Sequence, residues 1–296
     1  MTVLDYHLHL WPHSQRDAEA TVEQVAAYCA RAVEAGVTEI AVTEHLFRFT
    51  QAKDLLGGFW DDLPEAALRP GMAAYWDHHA RVDLDAYVEV VQAVKAEGLP
   101  VVLGLEVDYY RDRMDQVADL LAGYPFDVLL GSVHWLGAWR FDVLEEPLVL
   151  AEWEARDVDA VWDEYTRAME ELGASGVCDV FAHPDLVKIA GRVPAVPDEF
   201  YDRITEAAVR SGMAVELSSA GWRKPLGEEY PAPALLERLV DRGVPLTTAS
   251  DAHSLPDVAD RADEMRKLLF GAGVHRLQGF RHRKPYDVAV APPAGA

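Results

Sequence analysis

The sequence predicts an α/β chain folded as a (β/α)7 TIM-like barrel, and three observations carry that expectation. Seven short apolar runs alternate with longer segments of helical spacing. No glycine-rich phosphate turn follows the first run, as an open dinucleotide-binding sheet would require. The ionisable residues, histidines above all, fall at the C-terminal ends of the runs, the face on which parallel barrels carry their chemistry.

Taken in order, the expected strands are residues 3–6, 39–43, 101–105, 127–133, 177–182, 214–217 and 244–249. Between them, residues 21–34 repeat Val22, Val25, Ala26, Cys29 and Val33 along one helical face, and 84–97, 158–172 and 235–242 follow the same period. Gly36, Gly98, Gly176, Gly212 and Gly243 stand just before the next strand, where a left-handed residue closes a helix. Two aromatic-rich regions break the rhythm. Residues 48–81 (Phe49, Phe59, Trp60, Tyr75, Trp76) and 136–154 (Trp139, Phe141, Trp153) are expected to be inserted loops that roof the site. One domain is expected over residues 1–285, with a disordered Pro/Ala-rich tail at 286–296.

Composition narrows the function. The 296 residues are 50% apolar, enough for a core without disulfides, and 27 basic against 50 acidic residues give a net charge of −23. So acidic a surface repels nucleic-acid backbones and anionic lipid, so neither is an expected partner. Two cysteines, Cys29 and Cys178, build no disulfide framework, and neither a membrane span nor a signal peptide is read. The expected location is the cytoplasm.

The chemistry sits in the strand ends. The first gives His7 and His9, an i, i+2 pair projecting to one face, with His13 four residues on. The others end in Glu44-His45, Glu106, His134, His183 and the Asp251/His253 pair. A single histidine after a strand is usually a hydrogen-bonded loop residue, but seven histidines with Glu106 and Asp251 converging on one face read as ligands. Neutral imidazole and carboxylate suit Zn, Mn or Fe, and nine ligands exceed one tetrahedral ion, which implies two or three. Glu44 is expected to support the ligands or face solvent. His78, His79, His275 and His282 are read as solvated or helix-capping, and both cysteines as core.

Other hydrolytic and phosphate chemistries fail on the residues. Asp83-Leu84-Asp85 lacks a preceding apolar strand and reads as a helix cap, and neither cysteine has an arginine six residues on. No Walker A motif, GxGxxG or nucleophile-elbow serine occurs. Water activated by bound metal remains.

The motifs DYHLHLWPH from Asp5, VTEHLFRF from Val42, GLEVDYY from Gly104, GSVHWL from Gly131, FAHPDL from Phe181 and ASDAHS from Ala249 together resemble the PHP (polymerase and histidinol phosphatase) superfamily. The segment ELSSAGWRKPLGEEYP from Glu216 resembles its monofunctional histidinol-phosphatase branch. The resemblance implies a distorted barrel of the PHP type with three metals at its mouth. His7, His9, Glu106 and Asp251 would hold the first, Glu106 would bridge to a second on His134 and His183, and His13, His45 and His253 would hold the third. Two departures stand out: His13 follows His9 by four residues where relatives use six, and Ser218-Ser219-Ala220 replaces Asn-Thr-Ser.

The implied reaction is hydrolysis of a small-molecule phosphate ester, histidinol phosphate, in histidine biosynthesis. Glu106, Asp251 and His253 would be catalytic. Arg223, following the sixth strand, is expected to clamp the phosphate bidentately, with Lys224 beside it. Asp251 or a bound water would protonate the leaving group. Three rival readings stand beside it. An amidohydrolase would place a lysine at the end of the fourth strand, which is missing here. A PHP enzyme for another phosphate ester or a nucleotide would share the metal motifs. A catalytically dead module would have no need of nine converging ligands.

Overall fold

The computed structural model describes residues 3–63 and 65–293. Seven parallel strands run in sequential order, β1 (Leu4–Leu8), β2 (Glu39–Val42), β3 (Val101–Asp108), β4 (Val128–Ser132), β5 (Val180–Phe181), β6 (Ala214–Ser218) and β7 (Leu246–Ala249). Every residue of these strands is buried, as expected when helices cover one face and the barrel interior fills the other. β1 and β7 approach across the seam: the Thr248 hydroxyl donates to Leu4 O at 2.6 Å, and His9 N donates to Ala252 O at 2.8 Å. The barrel is thus nearly closed, the (β/α)7 form the sequence predicts.

The helices follow the apolar stripes. Around the barrel run α1 (Val22–Glu34), α2 (Thr50–Leu56), α3 (Arg69–His79), α4 (Leu84–Ala96), α5 (Met114–Leu121), α6 (Pro147–Ala155), α7 (Val158–Ser175), α8 (Asp198–Ser211), α9 (Pro233–Asp241) and α10 (Ala262–Gly271). Side-chain caps start three of them, each satisfying an orphan amide: Thr21 accepts from Gln24 N, Asp83 from Ala86 N and Asp157 from Ala160 N. Asp83 is therefore the cap that its sequence context implies. Gly176 and Gly212 close α7 and α8 at φ 68° and 71°, where a Cβ would be strained. Gly104 answers a different need: a Cβ there would stand 2.6 Å from Thr43 Cγ2, so only glycine lets β3 lie against β2.

Three expectations need correction. Regions 48–81 and 136–154 are not simply loops: the first contains α2 and α3, because Ala52, Leu56, Met72 and Trp76 bury a helical face, and the second most of α6, which buries Val149 and Trp153. His79, read as solvated, is buried with its ring edge-on to His13. The tail expected to be disordered from 286 runs to Ala289 in strand β9 (Lys284–Ala289), antiparallel to β8 (Arg276–Arg281). Backbone pairing orders it where composition suggested nothing would. Residues 294–296 lie outside the described residues.

Candidate metal centre

The register of β1 shifts between Asp5 and Leu8, a bulge at the point where the strand turns His7 and His9 into the barrel mouth. Glu106, near the end of β3, occupies the middle. Its two oxygens face different histidines. Oε2 lies 3.3 Å from His7 Nε2, 3.5 Å from His9 Nε2 and 2.6 Å from His45 Nδ1. Oε1 lies 3.1 Å from His183 Nε2 and 3.4 Å from His134 Nε2. Asp251 Oδ1 completes the first group, 3.4 Å from His9 Nε2 and 3.8 Å from His7 Nε2. His183 and Asp251 hold positive φ angles of 24° and 51°, a backbone strain of the kind that functional sites retain.

Supporting carboxylates fix which nitrogen each ring offers. Glu216 Oε2 lies 2.8 Å from His7 Nδ1, and Asp108 Oδ1 lies 2.6 Å from His134 Nδ1. Each occupies the outer ring nitrogen and leaves Nε2 for the centre, the arrangement that orients histidine ligands. Burial disfavours charge on His7, but Glu216, Glu106 and Asp251 outweigh it and hold its pKa well above the usual value. Burial opposes charge on His134 too, yet Glu106 and Asp108 lift it to about 10. His45 goes the other way, held well below the usual value by burial. Burial would raise the pKa of Glu106, but His45, His7 and His134 hold it well below the usual carboxylate range.

The donor set fits divalent ions. Four groups bring their ligand atoms within 4.8 Å of one another: His7/His9/Asp251, His7/Glu106/His183, His45/Glu106/His134 and His9/His45/His253. Among the described residues, both nitrogens of His45, His253 Nε2 and Glu106 Oε2 are buried with no hydrogen-bond partner. Buried polar atoms in that condition are costly, and a cation would satisfy all of them.

A PHP domain profile matches residues 5–220. This chain belongs to the PHP family. A probable histidinol-phosphatase from Deinococcus radiodurans is 36% identical over 221 residues, covering 72% of this chain and 82% of that protein. Another from Schizosaccharomyces pombe is 24% identical over 207 residues, covering 65% and 67%. Among solved structures, the putative histidinol phosphatase of Listeria monocytogenes superposes with a TM-score of 0.69 at 18% identity, over 88% of this chain and 99% of that one. The histidinol phosphate phosphatase of Lactococcus lactis, solved with zinc, L-histidinol and phosphate, gives 0.67 at 19% identity, over 96% and 98%. At these identities the two share the PHP fold with this chain.

Of the nine expected ligands, eight fall within the four groups. His13 does not. Its ring lies beside them on an exposed turn, centroid 4.4 Å from His253 and 5.2 Å from His45. A cavity of about 300 Å³ opens over the cluster, lined by His13, His45, His134, His183, Asp251 and His253 together with Phe47, Tyr75, Asp142, Glu145, Lys224 and Tyr230. Lys224 thus lies in the wall of the cavity. Arg223 does not: its guanidinium donates to Asp260 Oδ2 at 3.0 Å, Ser250 O at 2.6 Å and Asp251 O at 3.0 Å. The guanidinium instead ties down the turn that carries Asp251. Sequence reasoning missed Glu216, Asp108 and Asp142. A signal existed for Asp108, two residues after Glu106 and so on the same strand face.

Proposed function

We infer that this PHP protein is a histidinol-phosphatase, hydrolysing L-histidinol phosphate to L-histidinol and phosphate. The observation that carries the reading is Glu106, whose two oxygens each face a separate set of imidazoles, the geometry of a carboxylate bridging two ions. Two or three divalent ions, Zn, Mn or Fe, are the proposed cofactors. His7, His9, Glu106 and Asp251 would hold the first, Glu106, His134 and His183 the second, and His45, His253 and His13 the third. Ions bound there would neutralise phosphate oxygens and lower the pKa of a water molecule.

The chain's own residues do the rest. Lys224, at the cavity wall, offers a point charge to the phosphate. Arg223 holds the carbonyls of Ser250 and Asp251 and so fixes where the Asp251 carboxylate stands. Asp251 has 17% of its side chain accessible while Glu106 and Glu216 have none, so among these three it is the carboxylate open to the substrate. Asp142, half-buried, gives the same cavity a negative wall. A substrate with phosphate at one end and a cation at the other matches that distribution. No helix among the described residues is long and apolar enough to cross a membrane. The buried free thiols of Cys29 and Cys178 fit a reducing cytoplasm.

The test is a hydrolysis screen of phosphate esters, histidinol phosphate included, with metal analysis of the purified protein. Selective turnover of histidinol phosphate that is lost on chelation is expected. Turnover that survives chelation, or indifference to histidinol phosphate, defeats the reading.

A further inference from the structure

His13 belongs to an exposed segment, yet its ring stands over the buried cluster. Pro12, Ser14, Gln15, Arg16 and Asp17 are exposed as well, so no burial of its own holds this segment in place. What holds it is a fully buried ion pair beneath. Gln15 N donates to Pro12 O at 3.0 Å, making a turn with His13 at its first central position. The Arg48 guanidinium reaches the same turn from below. Its Nη2 donates to Trp11 O at 3.3 Å and Pro12 O at 3.1 Å, and its Nη1 to Gln15 O at 3.3 Å. Three carbonyls flanking His13 thus hang on one side chain that is itself 0% exposed.

Glu44 completes the arrangement. One carboxylate oxygen accepts from Leu10 N and, at 3.2 Å, from Trp11 N, while the other lies 3.4 Å from Arg48 Nε and 3.6 Å from His9 Nδ1. The pair is tied to the neighbouring ligand as well, since Arg48 N donates to His45 O at 3.1 Å. A buried pair of opposite charges is seldom worth its desolvation as a stabiliser alone, and holding a specific geometry is the better-attested use. Only arginine has donors arrayed to take three carbonyls in one plane, whereas a lysine ammonium could not reach them together.

We propose that the buried Glu44–Arg48 pair is a positioning device that grips the turn at Leu10–Gln15 and so presents His13 to the ion shared with His45 and His253. It rests on the reading of that ion under the proposed function. Neither residue touches substrate, so both are positioning residues.

The experiment measures metal affinity in the full chain, stripped and reloaded with Zn²⁺ against a competing chelator. The proteins are wild type, His13→Ala, Arg48→Met, Arg48→Lys and the double variant His13→Ala/Arg48→Met. Thermal melting of each metal-free form reports whether it folds. His13→Ala and Arg48→Met are each expected to weaken the most loosely held ion, by roughly 10- to 100-fold, leaving the tighter ions unchanged. The double variant should be no weaker than the worse single one, because both changes remove the same ligand. Arg48→Lys should fall between wild type and Arg48→Met. Independent, multiplying losses in the double variant would mean that Arg48 acts elsewhere, and wild-type affinity in Arg48→Met would overturn the proposal outright. If Arg48→Met fails to melt cooperatively, Arg48→Lys decides: weakened binding supports the device and wild-type binding refutes it. Unchanged affinity in His13→Ala also refutes it, while turnover of histidinol phosphate by the metal-loaded wild-type protein keeps the hydrolase reading apart from that failure.

Discussion

At the lower end of the barrel, the buried carboxylate of Glu39 meets the Tyr6 hydroxyl, the Arg281 guanidinium and the Tyr286 hydroxyl. At the upper end, the buried carboxylate of Glu106 meets five imidazoles and neither a lysine nor an arginine. Both ends bury charge, but they settle it differently. Below, each acid finds a cation or strong donor in the chain: Lys95 binds Asp127, and Arg283 binds Asp179 and donates to Val177 O at 2.6 Å. The β8–β9 hairpin supplies most of these partners and seals that end. Around Glu106, by contrast, the groups that could satisfy the acid are weak bases with orphaned nitrogens, a condition that bound cations relieve. A buried acid paired within the chain is architecture, and one ringed by unsatisfied imidazoles is a site prepared for ions.

The hardest blow to this contrast is Glu106→Gln. The amide keeps the shape, removes the charge from two ion shells and presents an NH2 group where a ligand oxygen stood. A loss of roughly 10³-fold or more in kcat/KM is expected, since several kcal/mol of charge stabilisation goes with the ions. Metal content should fall with it while thermal melting of the metal-free chain stays near wild type. A variant that keeps its ions and its rate would put the upper end in the same class as the lower.

Lys224 and Arg223 sharpen the picture within the upper end. Lys224→Ala removes a charge from the cavity wall, and a charge-assisted hydrogen bond of about 1.5–3 kcal/mol corresponds to a loss of roughly 10- to 150-fold in kcat/KM, mostly through KM. Arg223→Ala should act mainly on kcat, because it frees the turn bearing Asp251 without touching phosphate. Steady-state kinetics of the two variants would separate these roles, and a matching rise in KM for Arg223→Ala would restore it as the clamp.

How far the sequence disclosed this arrangement depends on what each residue answers to. His7, His9, Asp251 and His253 were legible because strand alternation at i and i+2 is local, and the parallel barrel then brings the strand ends together. Glu216 was hidden, since an acid inside an apolar run shows its purpose only when the ring of His7 is found beside it. Arg223 misled for a related reason: a loop side chain has many directions open to it, and its choice of Ser250 O and Asp251 O is made by tertiary contacts. The tail was misjudged from Pro and Ala content, yet Tyr286 and Val288 alternate with the register of β8. Local pattern reveals ligands, whereas the partners that orient them are long-range.

Asp142→Asn tests the cation-binding wall with a smaller expected effect. Loss of a half-buried charge facing the substrate's ammonium or imidazole should raise KM for histidinol phosphate by about 10-fold, in line with roughly 1–2 kcal/mol for one charged contact. Hydrolysis of p-nitrophenyl phosphate, which has no cationic end, should be unaffected. Equal losses on both substrates would place Asp142 with the metal machinery instead of the specificity wall.

The smallest effect on turnover belongs to the lower end, and there the contrast is most exposed to failure. Glu39→Gln leaves a side chain of the same shape that can still accept from Tyr6 and Tyr286, but it strips the charge that Arg281 answers. Glu39 is 8% exposed, so little water is available to replace what is lost. Arg281 is more open, and that access moderates the cost. A stability loss of about 1–3 kcal/mol is expected, read as a lower urea midpoint at unchanged slope. Zinc content and kcat should remain within twofold of wild type, because the seven strands between the two ends are held by their own ladders and not by the hairpin. If Glu39→Gln instead sheds ions or slows turnover in proportion to its loss of stability, the hairpin would be part of what holds the ligands in place. The division between a structural end and a chemical end would then be wrong.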